Sequence, residues 1–191
     1  DVCSSDLGAY FIKNIFMNRF FIIGYPCCGK TRFSRQAASH LNIPFFDSDV
    51  LVEMAYNMPI VNIFKIMGEE AFREKEHEII LDFCNNRDNY IMATGGGLPC
   101  FYDNMEVMNN AGVTIFIKAP AETLAMRNLH AKHLRPKFMG MNEEQILQVI
   151  RTELLQRETV YSKAKFVIDG TTNNCARQIE EIIAGVNNHP S

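Results

Sequence analysis

Short apolar blocks alternate with longer amphipathic segments from Arg19 to the end of the chain. Phe20-Phe21-Ile22-Ile23 stops at a glycine, the pattern of a strand buried on both faces of a parallel sheet. The spacing then predicts a helix over 31–41 and a second strand over 43–46. Three more strands are predicted over 90–93, 113–117 and 166–168. Helical periodicity fills 69–84 and 143–161, and the latter opens with Asn142 followed three residues on by Gln145, a capping-box variant. Strands that alternate with helices predict an α/β fold with a parallel sheet between two helical layers. No internal repeat or linker divides the pattern, so 17–191 reads as a single domain. Residues 1–16 are expected to be a non-native or disordered extension before a start at Met17.

Composition narrows the class without naming a chemistry. The 191 residues are 47% hydrophobic and 21% charged, which excludes a disordered chain. A formal net charge of −3 argues against a nucleic-acid binder, whose phosphate contacts need a basic excess. No apolar run approaches the about 18 residues of a membrane span. The six cysteines contain no C-x-x-C pair and read as free thiols of a reducing compartment, so a cytoplasmic protein is expected. His130-x-x-His133 is the only metal-like histidine spacing, with no ligand cluster beside it.

Chemistry concentrates where strands end. Gly24-Tyr25-Pro26-Cys27-Cys28-Gly29-Lys30-Thr31 satisfies G-x-x-x-x-G-K-[ST] between a predicted strand and a predicted helix. Loop amides and a helix N-terminus cradle phosphates there, Lys30 is placed for the β and γ phosphates, and Thr31 for magnesium. After the second strand comes Phe46-Asp47-Ser48-Asp49. Its aspartates suit either a metal and a substrate hydroxyl or an ordinary helix cap. After the third comes Thr94-Gly95-Gly96-Gly97, where glycines let a backbone approach a ligand and offer it amides. In an open parallel sheet all three lie along one edge, where ligands gather.

These elements in this order resemble the shikimate kinase family, small P-loop kinases of the aromatic amino-acid pathway. The resemblance also rests on Ile63-Phe64, Gly68-Glu69-x-x-Phe72-Arg73-x-x-Glu76, Leu134-Arg135-Pro136 and Arg157-x-x-x-Tyr161, and it spans Arg19 to Val186. It implies a three-layer P-loop kinase fold, with five parallel strands in the order 2-3-1-4-5. A small substrate-binding subdomain is implied near 47–80, and a lid near 130–141.

The resemblance further implies phosphoryl transfer from ATP, with Mg2+, to the 3-hydroxyl of shikimate. Asp49, Arg73, Arg157 and the Gly95, Gly96, Gly97 turn would hold shikimate, with Glu76 orienting Arg73. Cys27, Cys28, Gly29, Lys30, Thr31 and Arg32 would carry the nucleotide phosphates, Arg127 would approach adenine, and Thr31 with Asp47 would serve the metal. Lys30, Asp49 and the lid residue Arg135 would do the catalytic work in a monomeric enzyme. Each arginine also has a plainer reading: Arg73 follows Glu69 by four, and Arg157 follows Glu153 by four, the spacing of solvated helix pairs.

Two departures stand out. The family loop usually reads Gly-x-Met-Gly-small-Gly-Lys, whereas Pro26, Cys27 and Cys28 occupy that stretch here; Cys28 beside Lys30 offers the hypothesis of a reactive thiol, against which inert cysteines are the favoured reading. Near 171–174 the chain lacks an arginine that some members place by adenine. Another small-molecule P-loop kinase, for gluconate or a nucleoside monophosphate, and a non-catalytic nucleotide-binding descendant remain the rival readings.

Overall fold

The computed structural model describes residues 18–130 and 136–188; the extension expected over 1–16 and the lid residue Arg135 lie outside the described residues. Five strands, β1 (Arg19–Ile23), β2 (Phe45–Asp47), β3 (Tyr90–Ala93), β4 (Val113–Lys118) and β5 (Phe166–Asp169), form one sheet. All pairings are parallel and the order is β2-β3-β1-β4-β5. Phe20 to Ile23 of the central β1 are wholly buried, as a strand covered on both faces must be.

The helices are α1 (Lys30–Leu41), α2 (Ser48–Tyr56), α3 (Ile60–Ile66), α4 (Gly68–Asn86), α5 (Asn104–Ala111), α6 (Ala121–Leu129), α7 (Glu143–Tyr161) and α8 (Cys175–Asn188). The chain moves one way from β1 to β2 and the other way for every later crossover. Right-handed connections therefore put α1 on one face and α4, α5 and α7 on the other. Packing agrees with this: α1 meets α8, α4 meets α5, and α6 meets α7.

One large core runs through the sheet, and a small satellite of Val52, Ile63 and Phe72 joins α2, α3 and α4. That satellite packs α2, α3 and α4 against one another between β2 and β3. Helix α7 matches its predicted bounds, and its capping box forms in both directions. Strand β2 differs, starting at Phe45 rather than Ile43. Asn42 adopts a left-handed conformation and the Ile43 amide closes the end of α1 on Ala38 O, so Ile43 finishes the helix. Among the described residues, no helix is long and apolar enough to cross a membrane. Cys27, Cys28, Cys84, Cys100 and Cys175 are free thiols.

Candidate active site

The phosphate loop joins β1 to α1. Gly29 has φ +104°, and a Cβ there would strike the Phe33 ring at 2.5 Å, so only glycine serves. The Lys30 ammonium is drawn into the loop, donating to Gly24 O (2.8 Å) and Tyr25 O (3.1 Å), and is 8% exposed. The Thr31 hydroxyl donates to Asp47 Oδ2 at 2.8 Å, while Asp47 Oδ1 accepts from the Asp49 amide at 3.0 Å. Asp47 is thus the N-cap of α2, as the helix-cap reading has it, and also the partner of the loop hydroxyl. Arg32, in the first turn of α1, is exposed and lies over the Phe33 ring at 5.3 Å. Arg127 donates to Cys28 O (3.2 Å) and Gly170 O (2.8 Å), bridging the phosphate loop and the turn after β5.

Cys27 sits at φ +67°, a left-handed conformation that a side chain disfavours by about 1–2 kcal/mol. Its Sγ lies 3.2 Å from Asn128 Oδ1. Cys27→Gly is expected to raise unfolding free energy by about 1 kcal/mol, seen as a higher urea midpoint at unchanged slope. Cys28 is wholly buried, which sides with the inert reading of this thiol over the reactive one.

A cavity of about 480 Å³ opens beside Pro26 of this loop. Asp49, Arg73, Gly95, Gly96, Gly97 and Arg157 all line it, with Ile60, Val61, Phe64 and Phe72 as an apolar wall. Arg73 is fixed from several sides. Its guanidinium donates to Glu69 (3.0 Å) and Glu76 (2.6 Å) and stacks over the Phe101 ring at 4.1 Å. Only 13% of its side chain is exposed, so the solvated-pair reading does not describe it. Arg157 is likewise 22% exposed and lies 3.4 Å from Glu153.

All three glycines border the cavity, and the Gly95 amide is the one whose partner differs from the sequence expectation. The Gly95 amide donates to the buried Ser48 hydroxyl (2.7 Å) instead of facing the cavity, and Tyr161 fixes Gly96 O from behind at 2.5 Å. What each glycine provides is room for a site group. A Cβ at Gly95 would lie 2.5 Å from Asp49 Oδ1 and 2.7 Å from Glu76 Oε1, one at Gly96 would meet the Pro26 ring at 2.6 Å, and one at Gly97 would meet Arg73 Nη1 at 2.7 Å. Asp49 and Glu76 therefore converge on one glycine.

Glu76 is 1% exposed, and its Oε1 has no hydrogen-bond partner among the described residues. Burial pushes its carboxyl up to about 7, outweighing the neighbouring Arg73 guanidinium. Between its ordinary 4.5 and about 7, the folded protein holds a proton that the unfolded chain releases. Its contribution to stability is therefore full at low pH and falls as pH rises through that window, by on the order of 3 kcal/mol. Glu76→Gln is expected to flatten that fall, measured as urea unfolding free energy of both proteins from pH 4.5 to 7.5.

Sequence reasoning missed Tyr25, Lys137 and Glu153, which also border or support this cavity. Only the Glu153–Arg157 spacing hinted at them. Among the described residues, no three or more histidine, cysteine and carboxylate side chains gather as a metal site would require.

A phosphate loop and an acceptor cavity sharing one edge of a five-stranded parallel sheet define a small-molecule P-loop kinase. The shikimate kinase family model matches residues 26–187, and the chain belongs to that family. A shikimate kinase of Azobacteroides pseudotrichonymphae is 38% identical over 151 residues, covering 79% of this chain and 89% of that protein. The 1.7 Å crystal structure of shikimate kinase from Bacteroides thetaiotaomicron superposes with a TM-score of 0.82 at 31% identity, over 87% of this chain and 98% of that one. Shikimate kinase from Acinetobacter baumannii, solved in complex with shikimate, gives a TM-score of 0.75 at 28% identity, over 91% of this chain and 95% of that one.

Proposed function

We propose that the chain transfers the γ-phosphoryl group of ATP to the 3-hydroxyl of shikimate, giving shikimate 3-phosphate and ADP on the route to chorismate. The observation that carries this reading is one cavity, beside the phosphate loop, that holds two arginines, an aspartate and an apolar wall. Shikimate is a carboxylate on a hydroxylated ring, and the cavity matches it part by part. Arg73 and Arg157 suit the carboxylate, Asp49 suits a hydroxyl, and Phe64 with Phe72 suits the ring face.

In-line phosphoryl transfer asks the protein for positioning and charge compensation more than for covalent chemistry. Lys30 supplies a cation fixed by two loop carbonyls. Asp49 orients the acceptor hydroxyl and accepts its proton as the oxygen attacks. The lid segment bearing Arg135 excludes water, which would otherwise compete for the phosphoryl group. Thr31 and Asp47 offer the hydroxyl and carboxylate oxygens that suit a hard divalent cation, so they would hold magnesium. When bound, that ion supplies neutralisation of phosphate charge. Arg127 stands where the phosphate loop meets the turn after β5, on the side expected for adenine.

An acceptor panel tests the reading. With ATP and magnesium, shikimate alone is expected to be phosphorylated, and phosphorus NMR to place the ester at the 3-position. Transfer to gluconate or a nucleoside monophosphate in preference to shikimate would overturn it.

A further inference from the structure

Two neighbouring aromatic residues, Phe101 and Tyr102, follow the short turn Leu98–Cys100, and a side chain of α4 grips each of them. The Arg73 guanidinium lies 4.1 Å from the centre of the Phe101 ring. One helical turn further along α4, the His77 ring stacks on Tyr102, with centroids 4.8 Å apart and planes 22° apart. His77 Nδ1 also lies 2.7 Å from Asn104 Oδ1 and 3.9 Å from Asp103 Oδ1. Asn104, the first residue of α5, is wholly buried, and its Nδ2 donates to Leu98 O at 2.9 Å. Its backbone amide donates to Phe101 O (3.3 Å), so Asn104 ties down both ends of the turn.

The bond directions follow from this network. The Asn104 side-chain nitrogen is occupied by Leu98 O, so its oxygen accepts and His77 Nδ1 carries the hydrogen. Tyr102 holds φ +51°, a left-handed conformation that a side chain disfavours, and the stack on His77 helps to keep it there. What the turn presents to Arg73 is a flank. Glu69 and Glu76 hold the guanidinium from its own helix. Phe101 closes on it from the turn, and a Cβ at Gly97 would lie 2.7–2.9 Å from three of its atoms. The aim of Arg73 into the cavity therefore depends on where the segment 97–101 sits.

We propose that His77 is a positioning residue for acceptor binding: through Asn104 it seats the segment 97–101, and with it the Phe101 ring, against the Arg73 guanidinium. His77 does not line the cavity and acts through Arg73, which does. This role rests on shikimate being the acceptor and on Arg73 meeting its carboxylate. It extends the acceptor site to a half-buried histidine that takes no part in the transfer chemistry.

The test separates the hydrogen bond from the ring. His77→Phe keeps a ring for Tyr102 to stack on and removes the Nδ1–H donor. It is expected to raise the KM for shikimate about fivefold, the scale of one neutral hydrogen bond, with kcat and the KM for ATP within about twofold. His77→Asn places an amide N–H near the position of Nδ1 and is expected to keep the KM for shikimate within about twofold of wild type. In an Arg73→Lys background, adding His77→Phe is expected to change kcat/KM for shikimate by less than about twofold, because the guanidinium it acts through is gone. Should His77→Phe melt well below the wild type, His77→Ala, which suits a helix, takes its place. An undiminished fivefold effect in the Arg73→Lys background would overturn the proposal, as would unchanged kinetics of His77→Phe. Parallel losses in kcat and in both KM values would make His77 a structural residue only, and overturn it too. None of these results touches wild-type turnover of shikimate. Failure of the wild-type protein to phosphorylate shikimate would show before any variant is compared, and would overturn the underlying reading together with this one.

Discussion

Asp49→Asn is expected to lower kcat on shikimate by about three orders of magnitude while leaving ATP affinity within about twofold. Asp49, Glu76 and Glu153 are the carboxylates that line the cavity among the described residues. Glu76 is buried against Arg73, and Glu153 accepts from Tyr25 and Lys137. Asp49 stands in the first turn of α2, its amide fixed by Asp47, whose other oxygen faces the phosphate-loop hydroxyl of Thr31. It is therefore the cavity carboxylate tied most directly to the site of transfer. Asparagine keeps the shape and removes the proton acceptor. Steady-state turnover paired with calorimetric ATP binding checks the result, and near-normal turnover would remove Asp49 from the chemistry.

Gly97→Ala is expected to cost about a hundredfold in kcat/KM for shikimate with little loss of stability. The added methyl would lie 2.7–2.9 Å from three guanidinium atoms of Arg73. Those atoms end a flexible side chain, so Arg73 gives way and the fold does not. The displaced guanidinium loses its bond to Glu76 and its aim into the cavity, worth about 1.5–3 kcal/mol for a charged hydrogen bond. Gly112→Ala makes the contrast, because its methyl would strike the backbone carbonyl of Arg19 between β4 and β1. That variant should lose stability, whereas Gly97→Ala should lose acceptor affinity. Thermal unfolding alongside the KM for shikimate separates the two outcomes.

The parts legible in the sequence were those set by local rules. The strands β1 and β3 to β5, the capped helix α7 and the phosphate loop each follow from a few neighbouring residues. The turn of glycines was legible as a motif but not in its role, because what it accommodates comes from α2, α4 and the phosphate loop. The Tyr25–Lys137–Glu153 cluster was not legible. Its bonds join residues 112 and 128 positions apart, a distance over which spacing carries no signal. The Glu153–Arg157 pair was visible, yet its spacing pointed to solvent, and only tertiary packing reduces the two side chains to 24% and 22% exposure.

The central claim is that the nucleotide loop and the acceptor cavity form one working site. ADP release measured by coupled assay, with ATP and magnesium present and shikimate alternately absent and present, tests it most directly. Release that rises steeply with shikimate and saturates is the expected result. ATP binding with no shikimate-dependent release would contradict it, and would mark the chain as a nucleotide binder that does not catalyse.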